Sequence, residues 1–319
     1  MYTSDVEGLD AFAKRYAELK KEIAKVIVGQ EDIVSKLLIS IFCDGHSLLI
    51  GVPGLAKTLT VHTIAEVLDL SFSRIQFTPD LMPSDILGTE LLDETRNFKF
   101  NRGPIFSNIV LADEINRTPP KTQSALLEAM QERSVTVAGQ KHLLPSPFFV
   151  LATQNPIEQE GTYSLPEAQL DRFMFSLNLD YPSVSEEIDV VKSTTSGKKV
   201  SLDKKMTSVE IKYFQDLIKR IPITDNVLEY AVKLTNKTRP NREGSLPRVN
   251  SFIAWGAGPR ASQYLVLGAK CYAASKGKYS PDIEDVKAVA TAVLRHRVFK
   301  NYKAEAEGLS VDQIINELL

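Results

Sequence analysis

The chain has 319 residues, of which 43% are hydrophobic, so it can bury a sizeable core in one large or two ordinary domains. Its 38 basic and 40 acidic residues leave a net charge of −2, which disfavours nucleic acid as the main partner. The two cysteines, Cys43 and Cys271, are too few for a disulfide framework and favour a reducing, cytoplasmic setting. We expect neither a secretory signal nor a membrane segment, because no apolar run is placed or long enough for either.

The first elements predicted along the chain are two amphipathic helices, over residues 6–26 and 31–42, separated by a break at Gly29. A short apolar run over 47–50 then predicts a buried strand. Apolar residues recur at helical spacing over 61–68. The predicted order is therefore strand, glycine-containing loop and helix.

The loop between this strand and helix, residues 51–58, follows the phosphate-loop pattern G-x-x-x-x-G-K-[ST], except that Ala56 replaces the second glycine. Backbone N–H groups and the helix N-terminus can bind phosphate there, Lys57 can reach the β- and γ-phosphates, and the Thr58 hydroxyl can ligate Mg²⁺. We expect Ala56 to keep a negative φ or to be strained. A plain glycine-rich turn is the alternative, and the motifs further along the chain disfavour it.

Four further strands follow, interrupted by helical patterns and by two hairpins. Strands separated by helices favour a parallel α/β sheet, whose ligand would lie beyond the carboxyl ends of the strands. Strands are predicted over 72–77, 108–112, 148–153 and 174–179, helices over 121–132 and 165–173, hairpins over 90–102 and 134–144, and irregular structure over 78–88.

Beyond residue 182 no clear strand is predicted, and helical patterns follow one another. Helices are expected over 207–221, 224–238 and 261–276, with another opened by Ser280 and Pro281 and a last one capped by Ser310. The sequence therefore predicts an α/β nucleotide-binding domain over 1–184 and an all-helical domain over 185–319.

Polar side chains stand at the ends of two predicted strands. Asp113 and Glu114 follow the apolar strand 108–112, where Asp113 can bind Mg²⁺ and Glu114 can accept a proton from an attacking water. A solvated acidic turn is the alternative, and the nearby phosphate loop disfavours it. Asn155 follows the next strand and can orient the water or contact the γ-phosphate; a turn asparagine before Pro156 is equally compatible with the residues alone.

Two arginines are candidates for phosphate contact. Arg172 can stabilise transition-state charge on a neighbouring subunit's γ-phosphate, which in nucleotide hydrolases is worth roughly 10³–10⁵ in rate. A local ion pair with Asp171 or Glu167 is the alternative, which the residues alone slightly favour. Arg260 follows Pro259 in the first turn of a predicted helix, where a cation opposes the helix dipole and a bound anion would remove the conflict. Screening of this arginine by solvent is the alternative.

With these residues identified, the chain resembles the MoxR family of AAA+ ATPases over nearly its whole length. Several independent motifs in the same order carry the resemblance, which makes it specific. They are VIVGQ (26–30), GVPGLAKT (51–58), QFTPDLMPSDILG (76–88), GPIFSNIVLADEINR (103–117), LEAMQER (127–133), ATQNP (152–156), LPEAQLDRF (165–173) and GPRA (258–261).

The resemblance implies an AAA+ P-loop NTPase fold, with a five-stranded parallel sheet core flanked by helices, two β-hairpin inserts and an all-α lid domain. It implies that Asp113 and Glu114 form Walker B, that Asn155 is sensor 1, Arg172 the arginine finger and Arg260 sensor 2. Thr58 and Asp113 are then the metal ligands. The residues implied to contact nucleotide are Val28, Gly29 and Gln30 on the adenine, and Gly51, Val52, Pro53, Gly54, Leu55, Ala56, Lys57, Thr58 and Leu59 in Walker A.

The same resemblance implies an activity and partners. It implies ATP hydrolysis with Mg²⁺ in a homo-oligomeric ring, usually a hexamer, that drives chaperone-like remodelling of a partner complex. Similar proteins often act with a protein that carries a von Willebrand A-type domain. A magnesium-chelatase-like motor subunit and a non-catalytic, ATP-dependent assembly scaffold are the alternatives, and the acidic balance disfavours a DNA motor.

Overall fold

The computed structural model describes residues 2–92, 97–157, 161–197, 200–242 and 245–319. The strands are β1 (Ser47–Gly51), β2 (Phe72–Gln76), β3 (Gly88–Leu92), β4 (Phe98–Arg102), β5 (Ile109–Asp113), β6 (Ser134–Val137), β7 (Gln140–Leu143), β8 (Phe149–Gln154), β9 (Phe175–Leu179), β10 (Ile253–Trp255) and β11 (Phe299–Lys300). The helices are α1 (Asp5–Ile23), α2 (Glu31–Phe42), α3 (Lys57–Val67), α4 (Pro83–Leu87), α5 (Pro120–Glu132), α6 (Glu167–Leu170), α7 (Val184–Thr195), α8 (Ser208–Arg220), α9 (Asp225–Lys237), α10 (Pro247–Phe252), α11 (Pro259–Ser275), α12 (Ile283–Leu294), α13 (Tyr302–Ala306) and α14 (Val311–Asn316).

Five strands form one parallel sheet, as predicted, and their order in the sheet is β2-β5-β8-β1-β9. The first residue of β1, Ser47, faces Leu151 in β8 and Phe175 in β9. Successive side chains of a strand point to opposite faces, and here both faces are covered. Leu48 accordingly packs in a core with α5, whereas Leu49 packs in a second core with α1, α2 and α3.

The second core continues from the sheet into the helical region. Phe12 in α1 lies with its ring centroid 5.0 Å from that of Phe42 in α2 and 5.3 Å from that of Phe214 in α8. The first two helices therefore join the sheet to the later helices. The division of the chain at residues 184 and 185 stays a prediction.

The two predicted hairpins are present as antiparallel pairs, β3 with β4 and β6 with β7. In the first hairpin the register runs from Gly88 opposite Arg102 to Leu92 opposite Phe98. Its turn was predicted around Thr95, which lies outside the described residues.

The structure corrects the prediction of irregular structure over 78–88, because α4 lies within that stretch. Pro83 occupies its first position, where a missing N–H costs nothing, and the Asp85 carboxylate accepts from the Met82 N–H at 2.8 Å. Gly88 ends α4 with φ 97°, and a Cβ there would lie 2.3 Å from the Asn101 carbonyl oxygen. A glycine is therefore required where the chain turns from α4 into β3.

Three details of the helical region also differ from the prediction. The helix expected to open at Ser280 begins at Ile283 instead, because the Asp282 carboxylate accepts from the Asp285 N–H and caps it. The helices α7, α10 and α13 were not predicted. A two-stranded antiparallel sheet, β10 with β11, was not predicted either, since each of its strands has at most three residues.

Candidate functional site

The carboxyl ends of neighbouring strands bring several predicted residues together. In sheet order β2 ends at Gln76, β5 at Asp113, β8 at Gln154 and β1 at Gly51. Asn155 follows β8 and therefore lies beside the phosphate loop that leaves β1. Asp113 lies one strand further away, on β5. We call this end of the sheet the carboxyl edge.

Lys57 faces both acidic residues of this edge. Its Nζ donates to the Gly51 carbonyl oxygen at 2.5 Å, so the side chain folds back over the loop. Burial lowers the pKa of Lys57, and the nearby charges of Asp113 and Glu114 oppose that shift. The loop lysine and the acidic pair thus share one site within a single chain.

The backbone of the phosphate loop departs from the expected conformation at Ala56. This residue has φ 55° and ψ 22°, so it takes the strained, left-handed alternative, which costs an alanine roughly 1–2 kcal/mol. Gly54 also has a positive φ, at 89°. A left-handed residue directly before α3 turns successive N–H groups toward a common point, which makes an anion nest. Gly51 is needed for a different reason, since a Cβ there would lie 2.9 Å from the Leu179 Cβ.

The Asp113 carboxylate is buried and accepts hydrogen bonds at both of its oxygens. Its Oδ1 accepts from the Thr153 hydroxyl at 2.6 Å, and its Oδ2 accepts from the Arg74 guanidinium at 2.6 and 3.1 Å. Thr153 is itself buried in β8, so it holds the carboxylate in one orientation.

Glu114 leaves the strand in a left-handed conformation, with φ 57°. Its N–H donates to the Thr153 hydroxyl at 2.9 Å, which fixes the turn. Its Oε2 accepts from Gln76 Nε2 at 2.8 Å and from Arg117 Nη1 at 3.0 Å. The carboxylate is therefore held at the edge of the sheet by side chains from β2 and from the turn after β5.

The predicted adenine segment contacts the phosphate loop through Gln30. Its Nε2 donates to the Leu55 carbonyl oxygen at 3.1 Å, and its Oε1 accepts from the Thr60 hydroxyl at 3.2 Å. Gly29 has φ 74°, a conformation that favours glycine at this turn. The segment 28–30 thus lies against the loop, as expected of one nucleotide site.

Hard oxygen donors lie next to the phosphate loop, and they fit a magnesium ion. Thr58 follows Lys57 in the first turn of α3, and Asp113 supplies a carboxylate. Within the described ranges no group of three or more histidine, cysteine or acidic side chains could hold a metal alone. Mg²⁺ usually takes one or two protein oxygens and completes its coordination shell with phosphate and water. The Thr58 hydroxyl and the Asp113 carboxylate are therefore a suitable pair of protein ligands for this ion.

The two candidate arginines lie at the opposite, amino edge of the sheet. Arg172 and Arg260 line one cavity of 180 Å³ together with Arg133, Asp44 and His46. The last two precede the first residue of β1, whereas the phosphate loop follows its last. A five-residue strand places the two edges about 13 Å apart. The structure therefore brings these arginines together but not with their own phosphate loop.

Asp171 pairs with two distant arginines rather than with its neighbour Arg172. Its Oδ2 accepts from Arg260 Nη1 at 3.1 Å, and its Oδ1 accepts from Arg297 Nε at 2.7 Å. Arg297 is 3% exposed, and burial lowers its pKa, with the Asp171 charge opposing that shift. The Arg172 side chain forms no hydrogen bond or ion pair with the described residues, so the predicted local pair is absent there.

Comparison with known proteins identifies the family. The chain is 42% identical to Chaperone MoxR1 of Mycobacterium tuberculosis over 98% of its own length and 83% of that protein's. It is 30% identical to Protein MoxR of Methylorubrum extorquens, over 89% of this chain and 87% of that protein. The chain belongs to the MoxR family of AAA+ ATPases. The family model for ATPases associated with various cellular activities matches residues 46–175, and that for the AAA lid domain matches 246–318.

A crystal structure from Cytophaga hutchinsonii, described as that of a candidate ATPase, shares the fold of this MoxR-family protein. Its TM-score is 0.92 at 44% sequence identity, over 98% of this chain and 95% of that one. The AAA+ fold with a helical lid domain is thereby confirmed. None of the helices in the described ranges has the length and apolar content that a membrane crossing requires.

Sequence reasoning did not find several residues that shape this MoxR-family site. Thr153 orients both acidic residues, but it sits inside an apolar run and gives no separate signal. Gln76 and Arg74 lie on β2, where alternate polar residues could have indicated a half-exposed strand whose side chains reach the acidic pair. Arg297 is separated from Asp171 by 126 positions, so no local pattern connects them.

Proposed function

We propose that this MoxR-family protein hydrolyses ATP at sites formed between adjacent subunits of a ring and uses the reaction for chaperone-like remodelling of a partner complex. One observation carries the proposal: the phosphate loop and the arginine pair lie at opposite edges of the same sheet. A chain that is head-to-tail with a second copy can bring the amino edge of one subunit against the carboxyl edge of the next.

The carboxyl edge supplies the binding and proton-transfer groups. Lys57 and the N–H groups of residues 51–58 would hold the phosphates, and segment 28–30 would pack on the adenine. Glu114 would accept the proton of the attacking water, and Asn155, buried beside the loop, would orient that water. Thr58 and Asp113 would hold Mg²⁺, which supplies charge neutralisation for the phosphates when bound.

The amino edge supplies positive charge. Arg172 and Arg260 share a cavity with the half-buried Arg133. Arg133 pairs with Asp44 and Arg260 with Asp171, whereas the Arg172 side chain has no acidic partner among the described residues. An anionic phosphate from the next subunit would supply the opposite charge that the Arg172 side chain lacks in its own subunit. We therefore assign Arg172 and Arg260 to the transition-state charge on the neighbour's γ-phosphate.

The ring size and the partner belong to the same proposal. A hexamer and a partner with a von Willebrand A-type domain follow from the family resemblance. A cytoplasmic location is supported by the two buried, unpaired thiols of Cys43 and Cys271, which suit a reducing compartment.

Mixing two inactive variants tests the shared site. Lys57→Ala damages the carboxyl edge and Arg172→Ala the amino edge, so each variant alone should lose nearly all ATPase activity. In a random equal mixture, about a quarter of the interfaces combine an intact loop with an intact arginine, and activity should return to that extent. Steady-state phosphate release measures this, with native mass spectrometry confirming mixed assemblies.

A mixture of Lys57→Ala with Glu114→Gln is the matched control, because both changes damage the same edge and no interface can be complete. That mixture should stay inactive. Mixed assemblies of Lys57→Ala and Arg172→Ala that show no more activity than this control would refute the shared site. The Glu114→Gln variant, held in the ATP state, also serves to capture the client in a pull-down.

A further inference from the structure

The helical region carries an exposed tryptophan that none of the contacts described above uses. Trp255 ends β10, is 71% exposed, and is the single tryptophan of the chain. Large aromatic side chains dominate the energetics of protein interfaces when they are buried there. Such a side chain held in solvent marks a surface that a partner can cover.

Two cavities border Trp255. One, of 610 Å³, is also lined by Asp171, Glu167 and Phe299. The other, of 450 Å³, is also lined by Arg239. A partner can therefore cover the exposed ring and place its own side chains in the cavities beside it. Such close packing is typical of the centre of an interface.

The backbone that carries Trp255 is held in place on both sides. Trp255 pairs with Phe299 across the sheet of β10 and β11. Two residues later, the Ala257 N–H donates to the Thr238 hydroxyl at 2.9 Å, and the Ala257 carbonyl accepts from Arg239 Nε at 2.9 Å. Docking on a fixed backbone loses little conformational entropy, which favours binding.

The surface around Trp255 is continuous with the amino edge. Asp171 lines the larger cavity and also accepts from Arg260, which lies in the first turn of α11. Trp255 stands three residues before Gly258, the N-cap of that helix. A subunit that meets Arg260 must therefore also come close to Trp255.

We propose that Trp255 docks on a second copy of this chain, at the rim of the nucleotide site that receives Arg172 and Arg260. This inference rests on the proposed function and adds a residue whose role is recognition between subunits. The rim offers aliphatic side chains in Leu59, on α3, and Ile157, beyond Asn155, which are 45% and 67% exposed. The contact is heterologous, so it propagates around a ring.

The fluorescence of Trp255 in the otherwise unaltered sequence is the first test. Because the chain has one tryptophan, its emission reports this position alone. The Glu114→Gln protein with ATP holds the assembled state, and dilution without nucleotide gives the separated chains. Assembly should shift the emission to shorter wavelength and reduce iodide quenching at least threefold, as expected of burial in an interface core.

A substitution gives the second test. Trp255→Ala, in the Glu114→Gln background with ATP, should weaken assembly at least about tenfold in sedimentation velocity, as the loss of an interface hot spot does. Binding of a fluorescent ATP analogue to the separated chains should not change, which also verifies folding. Phe98→Ala is the matched control, since Phe98 is an equally exposed aromatic, at 73%, on the distant β3–β4 hairpin.

The outcomes separate the two proposals. Assembly that leaves Trp255 as open to iodide as in the separated chains overturns the docking inference and leaves the shared site standing. If Trp255 is protected from iodide only when another protein is added, and not on assembly, the docking inference is overturned and that other protein is the occupant. A chain that never assembles with ATP overturns the proposed ring and the docking inference together.

Discussion

The two edges of the central sheet are built in opposite ways. At the carboxyl edge, Ala56 and Glu114 adopt left-handed backbone conformations, and a short hydroxyl side chain, Thr153, orients the acidic pair. At the amino edge, the long cationic side chains of the half-buried Arg133 and the buried Arg297 donate to backbone carbonyl groups. The first edge is shaped to hold a polyphosphate, and the second has positive charge without a cradle for a nucleotide. In the proposed function, the two edges are therefore complementary parts of one active site.

The largest effect is expected at the carboxyl edge. Glu114→Gln should lower kcat about 10³-fold, because an amide cannot accept the proton of the attacking water, while ATP binding should remain close to that of the unaltered protein. Phosphate release and equilibrium binding of an ATP analogue measure the two quantities. Glu128→Gln, at an exposed position on α5, is the control and should change neither. Retained hydrolysis by Glu114→Gln would assign the base to another group.

A smaller effect is expected at the amino edge, on stability. Asp171→Ala removes the acidic partner of the buried Arg297 and leaves its charge uncompensated, which should cost about 3 kcal/mol of unfolding free energy. Chemical denaturation monitored by circular dichroism measures this loss. The surface pair of Asp189 and Lys192 is the control, and Asp189→Ala should cost less than about 1 kcal/mol.

The same variant also tests whether the amino edge contributes to hydrolysis without contributing to ATP binding in its own chain. Asp171→Ala also releases Arg260, so hydrolysis by the assembled protein should fall, whereas ATP binding by separated chains should not. Equal loss of binding and hydrolysis would mean that the amino edge also shapes its own chain's nucleotide site.

The sequence predicts an edge well when the residues that form it are close together in the chain. The carboxyl edge was largely predicted, because strand ends, the loop pattern and the acidic pair are all read from neighbouring residues. At the amino edge Arg172 and Arg260 were named from the sequence, but the contacts of Asp171 were not, because its partners lie 89 and 126 positions away. A local ion pair is the natural expectation from sequence, and tertiary packing overrode it.

The left-handed Ala56 illustrates a second limit. The sequence predicts either a negative φ or backbone strain at this alanine, and it does not decide between them. In the structure Ala56 adopts the left-handed conformation that glycine favours, and this conformation is strained for an alanine. Such strain is maintained by the surrounding packing, which no local window contains.

The smallest effect expected of any one residue is the loss of stability in acid. It again concerns the amino edge, where two buried histidines lie. His46 accepts from the Val150 N–H at Nδ1, so its proton is on Nε2, which donates to the Met130 carbonyl oxygen. Burial, and then the charge of Arg133, lowers the pKa of His46 well below the usual value. Burial and the Arg297 charge do the same to the pKa of His296.

The sign of the acid effect follows from these lowered values. Below about pH 6.5 an unfolded histidine binds a proton, whereas the folded one does not, so stability present above that pH is lost as the pH falls. Each histidine should cost about 1.4 kcal/mol between pH 7.5 and 5.5, near 3 kcal/mol for both. Denaturation at the two pH values measures it. His46→Gln should remove about half of the loss, whereas His62→Gln, at an exposed position, should remove none. An unchanged loss in His46→Gln would show that His46 does not contribute to the acid sensitivity.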